Sequence, residues 1–164
     1  MAVLSYKYRI EPTRAQSTAF GDMLADFCQL YNAGLEQRIA AYRRGRISVS
    51  YKMQANELKG VRCAAPELAR WSFSAEQQVL RRLDKTYKAF FARGKGFPRF
   101  RARARYHAAD FRVGDGLRLR KSGKLGFVGV SGEVKVRWHR QLPSAPKSAI
   151  LTGVQQNGRL GQRS

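Results

Sequence analysis

Hydrophobic and polar residues alternate at the start of the chain, where residues 3–10 read VLSYKYRI. A period of two is typical of a half-buried strand. Pro12 then ends this predicted strand, because proline has no N–H for a ladder of hydrogen bonds. The apolar face comprises Leu4, Tyr6, Tyr8 and Ile10, and the opposite face carries the cations Lys7 and Arg9.

The apolar residues that follow recur at spacings of three and four, which predicts helices. Thr13 precedes a long helix that closes at Arg43–Arg46, and Ser50 can cap a weaker one that runs to about Leu58. A further helix follows a turn that contains Pro66. Its candidate N-cap is Ser74, its capping-box partner is Gln77, and its apolar arc comprises Val79, Leu80, Leu83, Tyr87, Phe90 and Phe91.

Beyond residue 105 the period returns to alternation. Short apolar segments are separated by glycine-rich turns, which indicates an antiparallel meander or a small barrel with a cationic exterior. We therefore expect an α+β fold, a small antiparallel β-barrel with an inserted helical bundle. The expected division is a first strand at 1–12, a helical domain at 13–105 with a basic loop at 93–105, further barrel strands at 106–152 and an irregular tail at 153–164.

The chain is strongly basic. Its 164 residues contain 32 Lys and Arg against 11 Asp and Glu, a net charge of +21, and residues 85–164 hold 19 of those cations but only 3 of the acids. The densest stretch, RGKGFPRFRARAR, is called the basic segment below; its cations are Arg93, Lys95, Arg99, Arg101, Arg103 and Arg105. Such a stretch repels itself unless a polyanion lies against it, and its phenylalanines offer flat faces to bases. Nucleic acid is the expected partner, and Lys7 and Arg9 of the first strand are further candidate contacts for it. A solvated basic loop or a polycationic tail is the alternative.

A second set of cations lies on the last predicted helix. At about 100° per residue, Gln77, Arg81, Lys85 and Lys88 fall on one arc beside the apolar one. An ordinary solubilising face would look similar, but this one runs directly into the basic segment, which favours contact with nucleic acid.

The sequence does not contain a set of residues at the spacing that a catalytic site needs. His107 and His139 are isolated, the two cysteines lack the paired spacing of a zinc site, and Asp22 and Asp26 are expected to be solvent-facing partners of nearby cations. No nucleotide-binding fingerprint occurs, so no cofactor, metal site or catalytic residue is expected. No apolar run suits a membrane span or a secretion signal, which predicts a cytoplasmic, nucleoid-associated protein without a membrane partner.

Six segments in order along the chain carry a resemblance: YKYRIEPTRAQ, LYNAGLEQRIAAYRRG, SYKMQANELK, QQVLRRLDKTYKAFF, GFPRFRARAR and KVRWHRQLP. Together they resemble the N-terminal half of the TnpB/OrfB family of insertion-sequence proteins, over residues 4–151. The resemblance implies a wedge domain, a small β-barrel, with a helical recognition domain inserted after its first strand, in the region also described as a transposase helix-turn-helix. It also implies RNA-guided DNA nucleases as relatives, in which this half helps hold guide RNA and reads a short transposon-adjacent motif on duplex DNA.

Carried over by position, Tyr51 and Gln77 match family residues that approach that motif. Two family positions near Gln77 are Phe73 and Ser74 here, so the motif read would differ. The family continues into a RuvC-like nuclease domain with three catalytic acids and a zinc ribbon, which these 164 residues do not contain. The resemblance therefore implies a chain that ends before the nuclease and has no enzymatic activity of its own.

The expected function is a transposon-associated module that binds DNA, guide RNA or both. One alternative is a recognition subunit that acts with a separately encoded RuvC-like nuclease half, and another is an RNA binder like a ribosomal protein. We expect the arginines of the basic segment to contact phosphate from a loop without rigid backing. For Gln77, an amide that reads adenine and a residue that merely completes a capping box both fit the sequence.

Overall fold

The computed structural model describes residues 5–154 and 159–163 of the protein. Four helices lie between the first and second strands of a single curled sheet, so the α+β layout and the inserted helices are confirmed. In chain order the elements are β1 (Lys7–Glu11), α1 (Arg14–Gly45), α2 (Tyr51–Ala64), α3 (Pro66–Ala69), α4 (Phe73–Arg93), a 3₁₀ turn (Arg103–Arg105), β2 (Ala108–Val113), β3 (Gly116–Leu119), β4 (Leu125–Phe127), β5 (Lys135–Arg137), β6 (Ser148–Val154) and β7 (Arg159–Arg163).

The first strand and the first helix follow the predicted pattern. Tyr8 and Ile10 of β1 are buried and its cations face outward, whereas residues 3 and 4 of the predicted strand lie outside the described residues. Thr13 caps α1 in a reciprocal capping box with Gln16. The Gln16 amide also donates to the carbonyls of Ser131 and Glu133, at 3.0 and 3.1 Å, which ties the start of α1 to the turn before β5.

The later helices begin or end elsewhere than predicted. Ser72, not Ser74, caps α4, because the Ser72 hydroxyl accepts from the Ala75 amide at 3.3 Å. Ser74 instead contacts the Asp115 carbonyl at 3.3 Å, so the capping box between Ser74 and Gln77 is wrong. Helix α2 continues to Ala64, six residues past the predicted end, and Pro66 opens the short helix α3 rather than lying in a turn.

The sheet has the order β4-β3-β2-β6-β7-β1-β5. Of the six strands after the helices, β2 to β6 follow the predicted alternation, but the meander was wrong, since β2 pairs in parallel with β3 and antiparallel with β6. Positive φ angles at Gly114 and Gly116 let the chain loop tightly and continue in the same direction. The tail predicted as irregular instead contains the end of β6 and all of β7, which pairs with β6 and β1. The partner β6 of β2 and the partner β1 of β7 lie far away in sequence, so local alternation could not reveal these pairings.

A tight corner between α3 and α4 joins the helices to the sheet. Trp71 is fully buried there, and its indole N–H donates to Asp26 of α1 at 2.7 Å. Gly129, with φ of 87°, passes so close that a Cβ would lie 2.6 Å from the Trp71 ring and 2.7 Å from the Arg70 carbonyl. The neighbouring Ser72 side chain similarly occupies the space beside Gly116. Helices and sheet therefore meet at a contact that only glycine permits.

Beneath this corner lies a buried ion pair. Glu76 is completely buried, one carboxylate oxygen contacts Arg62, and the other has no hydrogen-bond partner among the described residues. Arg62 also donates to the Trp71 carbonyl at 2.9 Å. Burial raises the pKa of Glu76 to about 7, although the hydrogen bond and charge of Arg62 oppose that shift.

We expect Gly129→Ala to destabilise the fold more than Gly114→Ala. Both glycines have positive φ, 87° and 97°, but only Gly129 faces other atoms within 4 Å of a built Cβ. The shared backbone penalty is about 1–2 kcal/mol, and overpacking against Trp71 adds about 1–3 kcal/mol at Gly129 alone. Urea unfolding measures the difference; equal losses in the two variants would show that the corner is loosely packed.

Stability should depend on the protonation of Glu76. In the unfolded chain its carboxyl titrates near 4.5, whereas in the folded protein its pKa is about 7. Between these values the folded state keeps a proton that the unfolded state has lost, so the free energy of unfolding falls as pH rises. In Glu76→Gln, the decrease in the free energy of unfolding between pH 4.5 and 7 should be smaller by about 1–3 kcal/mol. Urea unfolding measures this difference. Glu67→Gln, on the exposed face of α3, is the control and should leave the profile unchanged; identical profiles for all three proteins would refute the assignment.

Candidate nucleic-acid interface

The arc on α4 that comprises Gln77, Arg81, Lys85 and Lys88 is called the α4 stripe below, and it is accessible along its length. Arg81, Lys85 and Lys88 are exposed, and Gln77 at the start of the helix is half-buried. The guanidinium of Arg81 lies over the ring of Tyr51, 4.6 Å from its centroid, and so links α4 to the first residue of α2. The structure thus brings together Tyr51 and Arg81, whose contact no pattern in the sequence predicts. A stacked guanidinium is held in one orientation and keeps its N–H groups available at its edge.

A buried polar network fixes the three long helices beneath this surface. Arg38 of α1 donates to Gln54 of α2 at 3.0 Å and to Asp84 of α4 at 3.1 Å. Gln54 in turn donates to the Gly34 carbonyl at 2.9 Å. The residues of this network belong to α1, α2 and α4, so the network sets the spacing between these three helices. The helix that carries the α4 stripe is consequently held in position relative to α1 and α2.

The charge at the C-terminal end of the stripe is partly compensated. Asp84 accepts from Lys88 at 3.0 Å as well as from Arg38. Burial raises the pKa of Asp84, but hydrogen bonds and charge from Lys88 and Arg38 outweigh that effect and hold the pKa below its usual range. Lys85, one turn earlier, has no acidic partner among the described residues. Of the two lysines, Lys85 is therefore the one whose charge is not compensated by an acid among the described residues.

The basic segment is docked against α1, which corrects the expectation of a loop without backing. Asn32 of α1 accepts from the Arg101 backbone amide at 2.8 Å and donates to the Arg101 carbonyl at 2.9 Å. The Cys28 thiol contacts the same carbonyl at 3.3 Å. Pro98 is buried, and Phe97 packs edge-on against two aromatic rings of α4. These contacts hold the segment along one side of the helical layer.

The six cations of the basic segment have two different environments. Arg103 donates to the Gly21 carbonyl at 3.0 Å and to the Tyr106 carbonyl at 3.3 Å, so it braces the segment against α1. The Arg101 guanidinium lies 5.8 Å from the centroid of the buried Tyr31 ring. Arg101 is nevertheless exposed, as are Arg93, Lys95, Arg99 and Arg105. Phosphate contact is open to these five, whereas Arg103 is occupied by the protein.

Lys7 and Arg9 lie apart from the α4 stripe. Both are exposed on β1, and in the sheet β6 and β7 separate β1 from β2, the strand on which α4 packs. Arg9 is paired in register with Arg137 of β5. The structure therefore places these two cations on a strand that two other strands separate from the one that α4 contacts.

The acidic residues of α1 have separate roles. Asp22 is exposed and pairs with Arg70 at 3.5 Å, as expected, whereas Asp26 accepts from the buried Trp71 indole and is not a solvent-facing partner of a cation. Within residues 5–154 and 159–163, no three His, Cys, Asp or Glu side chains converge on a point where a metal ion could bind. In the same part of the chain, no helix combines the length and apolarity required to cross a bilayer.

Comparison with known proteins gives two matches. The model of the helix-turn-helix domain of IS605-type OrfB proteins matches residues 1–46, a range in which the structure describes β1 and the single helix α1. A Streptomyces pristinaespiralis protein, proposed to be an RNA-guided DNA endonuclease, is 27% identical over 151 residues. That alignment covers 90% of this chain, which spans 37% of the relative's length. The resemblance to the N-terminal half of TnpB/OrfB proteins is thereby confirmed.

The structure assigns Arg103 a stabilising role that Arg99 does not share. Arg103→Ala removes hydrogen bonds to two carbonyls and should lower the free energy of unfolding by about 1–3 kcal/mol. Arg99→Ala removes the same charge from an exposed position and should leave it unchanged. Urea unfolding of both variants gives the comparison. Equal stabilities would mean that Arg103 does not brace the segment.

Proposed function

We propose that this chain is the nucleic-acid-binding module of a TnpB-like, transposon-associated protein, and that it binds duplex DNA, guide RNA or both. The observation that carries the proposal is the arrangement on α4, where Gln77 lies one turn before an Arg81 that is stacked on Tyr51. Base reading needs side chains held in fixed directions, and phosphate binding needs nearby cations. The α4 stripe supplies the first and the basic segment the second.

Gln77 is the proposed base-reading residue. Ser72 caps α4, so the Gln77 amide is not needed there, and its side chain remains partly accessible. An amide on a rigid helix can form two hydrogen bonds with adenine in the major groove, worth about 1–3 kcal/mol of discrimination. The helix itself is anchored by its corner at Trp71 and by Arg82, which donates to the Ala108 carbonyl at 3.0 Å. Phosphate contacts from Lys85 and the exposed arginines would hold the duplex against it.

The curled sheet supports the proposal of a wedge-like second unit. Leu125 of β4 and Val134, which precedes β5, exchange two backbone hydrogen bonds at 2.9 and 2.7 Å, and β4 and β5 are the outermost strands. We propose that this bridge draws the sheet toward a barrel. The division into a helical domain at 13–105 and barrel strands on either side remains part of the proposal.

Recognition rather than cleavage is the step that we propose for these residues. The relative that is proposed to cut DNA is matched over 37% of its length, and the acids of this chain are engaged in structural contacts at Asp26, Glu76 and Asp84. A second candidate is a recognition subunit that works with a separately encoded RuvC-like nuclease half. An RNA binder like a ribosomal protein would explain the charge but not the match to OrfB proteins.

Gln77→Ala should flatten the preference among DNA sequences and leave the melting temperature unchanged. Selection from a library of random duplexes by the 164-residue chain measures the preference, and the expected loss at the position read is about fivefold to a hundredfold. Gln29→Ala, on the exposed side of α1, is the control. Arg99→Ala should instead weaken all sequences alike and reduce the slope of log affinity against log salt by about one unit.

Three results would contradict the proposal. If affinity for duplex DNA and for RNA were independent of salt between 50 and 200 mM, the charge would not act on phosphate; with six or more contacts, affinity should fall about a thousandfold. If the sequence preference survived Gln77→Ala, base reading would belong to other residues. Metal-dependent cleavage by the purified chain, absent from a mock preparation, would contradict the assignment of recognition alone.

A further inference from the structure

An aromatic groove lies between the C-terminal ends of α1 and α4. Its volume is about 580 Å³, within the range of small-ligand sites. The sequence predicts that Phe90 and Phe91 belong to the apolar arc of α4, but Phe91 is 77% exposed. Tyr42 and Ile47, two residues in the wall of the groove, are each 54% exposed. The apolar and aromatic residues of the wall are Tyr42, Ile47, Tyr87, Phe90, Phe91 and Phe97.

The rings of this groove are arranged with open faces. Phe90 contacts Phe91 and Phe97 edge-on, with centroids 5.0 and 5.3 Å apart, and Phe97 also meets Tyr87 edge-on at 5.7 Å. Arg38 already covers the Tyr87 ring, at 4.9 Å. Phe91 also lies nearly parallel to Tyr87, with centroids 6.5 Å apart and an interplanar angle of 22°, so one face of Phe91 is turned toward Tyr87. Because Phe91 is 77% exposed, its opposite face is available to another planar group. The groove is a stacking surface rather than a closed apolar cavity.

Cations surround these rings. Arg43 and Lys88 line the groove, Arg46 lies over the Tyr42 ring at 5.1 Å, and Gly94 to Gly96, with Lys95 between them, connect Phe91 to Phe97. The acid in the wall, Asp84, is neutralised by Arg38 and Lys88. The charge of the groove is thus complementary to a polyanion, and its rings are complementary to bases.

The groove is also continuous with the α4 stripe. Residues 77, 81, 88 and 91 lie within about 80° of one another on the helix, and Phe91 is about 21 Å from Gln77 along the axis. Ser50 lines the groove, and the next residue, Tyr51, supports Arg81. One polyanion could therefore lie along both surfaces, with paired bases at one end and unpaired bases at the other.

We infer that this groove binds unpaired bases of a single nucleic-acid strand, stacked on Phe91 and bracketed by Arg43 and Lys88. The inference rests on the proposed nucleic-acid function and adds a strand type and a location to it. Proteins that hold single strands without reading their sequence usually stack the bases on aromatic rings and place cations beside those rings.

Fluorescence anisotropy with labelled oligo(dT), oligo(U) and a blunt duplex tests the groove in the 164-residue chain. Phe91→Leu keeps an apolar side chain but lacks a flat face, and it should weaken single-strand binding by fivefold or more while leaving duplex binding unchanged. Phe91→Trp should bind single strands as tightly as the natural residue or more tightly. The oligo(dT) and oligo(U) measurements distinguish DNA from RNA as the strand bound.

The outcomes distinguish the groove assignment from the proposed nucleic-acid function. Equal single-strand affinity in the Leu variant and the natural chain, with duplex binding intact, would overturn the groove assignment alone. Binding to none of the three probes would overturn the proposed function as well. A dimer of the natural chain that dissociates on Phe91→Leu, without loss of strand affinity, would assign the groove to a second copy of the chain and also overturn the inference. Because Phe91 is exposed, both variants should retain the melting temperature of the natural chain.

Discussion

The contact between Trp71 and the sheet is the constraint on which the remaining arrangement depends. A short chain segment must turn from α3 into α4, cap α4 with Ser72 and lie flat against two glycine turns of the sheet. Because Trp71 also binds Asp26, the same corner orients α1. The direction of α4, and with it the exposure of the α4 stripe, follows from this corner and from the Arg38 network between the helices.

The local elements could be predicted from the sequence, whereas their partners could not. Periods of two and of three to four located β1, the long helices and five of the six later strands, because burial of one face imposes those periods. The pairing of β2 with β6 and of β7 with β1 depends on backbone groups that are distant along the chain. The parallel pairing of β2 with β3 instead depends on the positive φ angles of Gly114 and Gly116, which local alternation does not reveal. The cap of α4 was misplaced by two residues because Ser72 and Ser74 are equally good caps in sequence, and the packing of Ser72 beside Gly116 distinguishes them.

The candidate interface was only partly visible in the sequence. Charge and helical spacing indicated the α4 stripe and the basic segment, but a linear pattern cannot distinguish the braced Arg103 from the exposed Arg99 and Arg105. The pairing of Tyr51 with Arg81 and the anchoring of the segment by Asn32 need contacts between separate helices. Phe91 was misassigned because helical periodicity continues beyond the point where the neighbouring helix α1 ends and burial stops.

The central claim is that nucleic acid lies along the α4 stripe and the basic segment, rather than anywhere on a uniformly cationic surface. Acetylation of lysines by a small reagent, read by mass spectrometry with and without bound nucleic acid, measures this directly because lysines occur on both faces. We expect protection of Lys85 and Lys95, with Lys121, Lys124 and Lys135 near the sheet remaining reactive. Protection of those three while Lys85 and Lys95 stay reactive would place nucleic acid on the sheet and contradict the account.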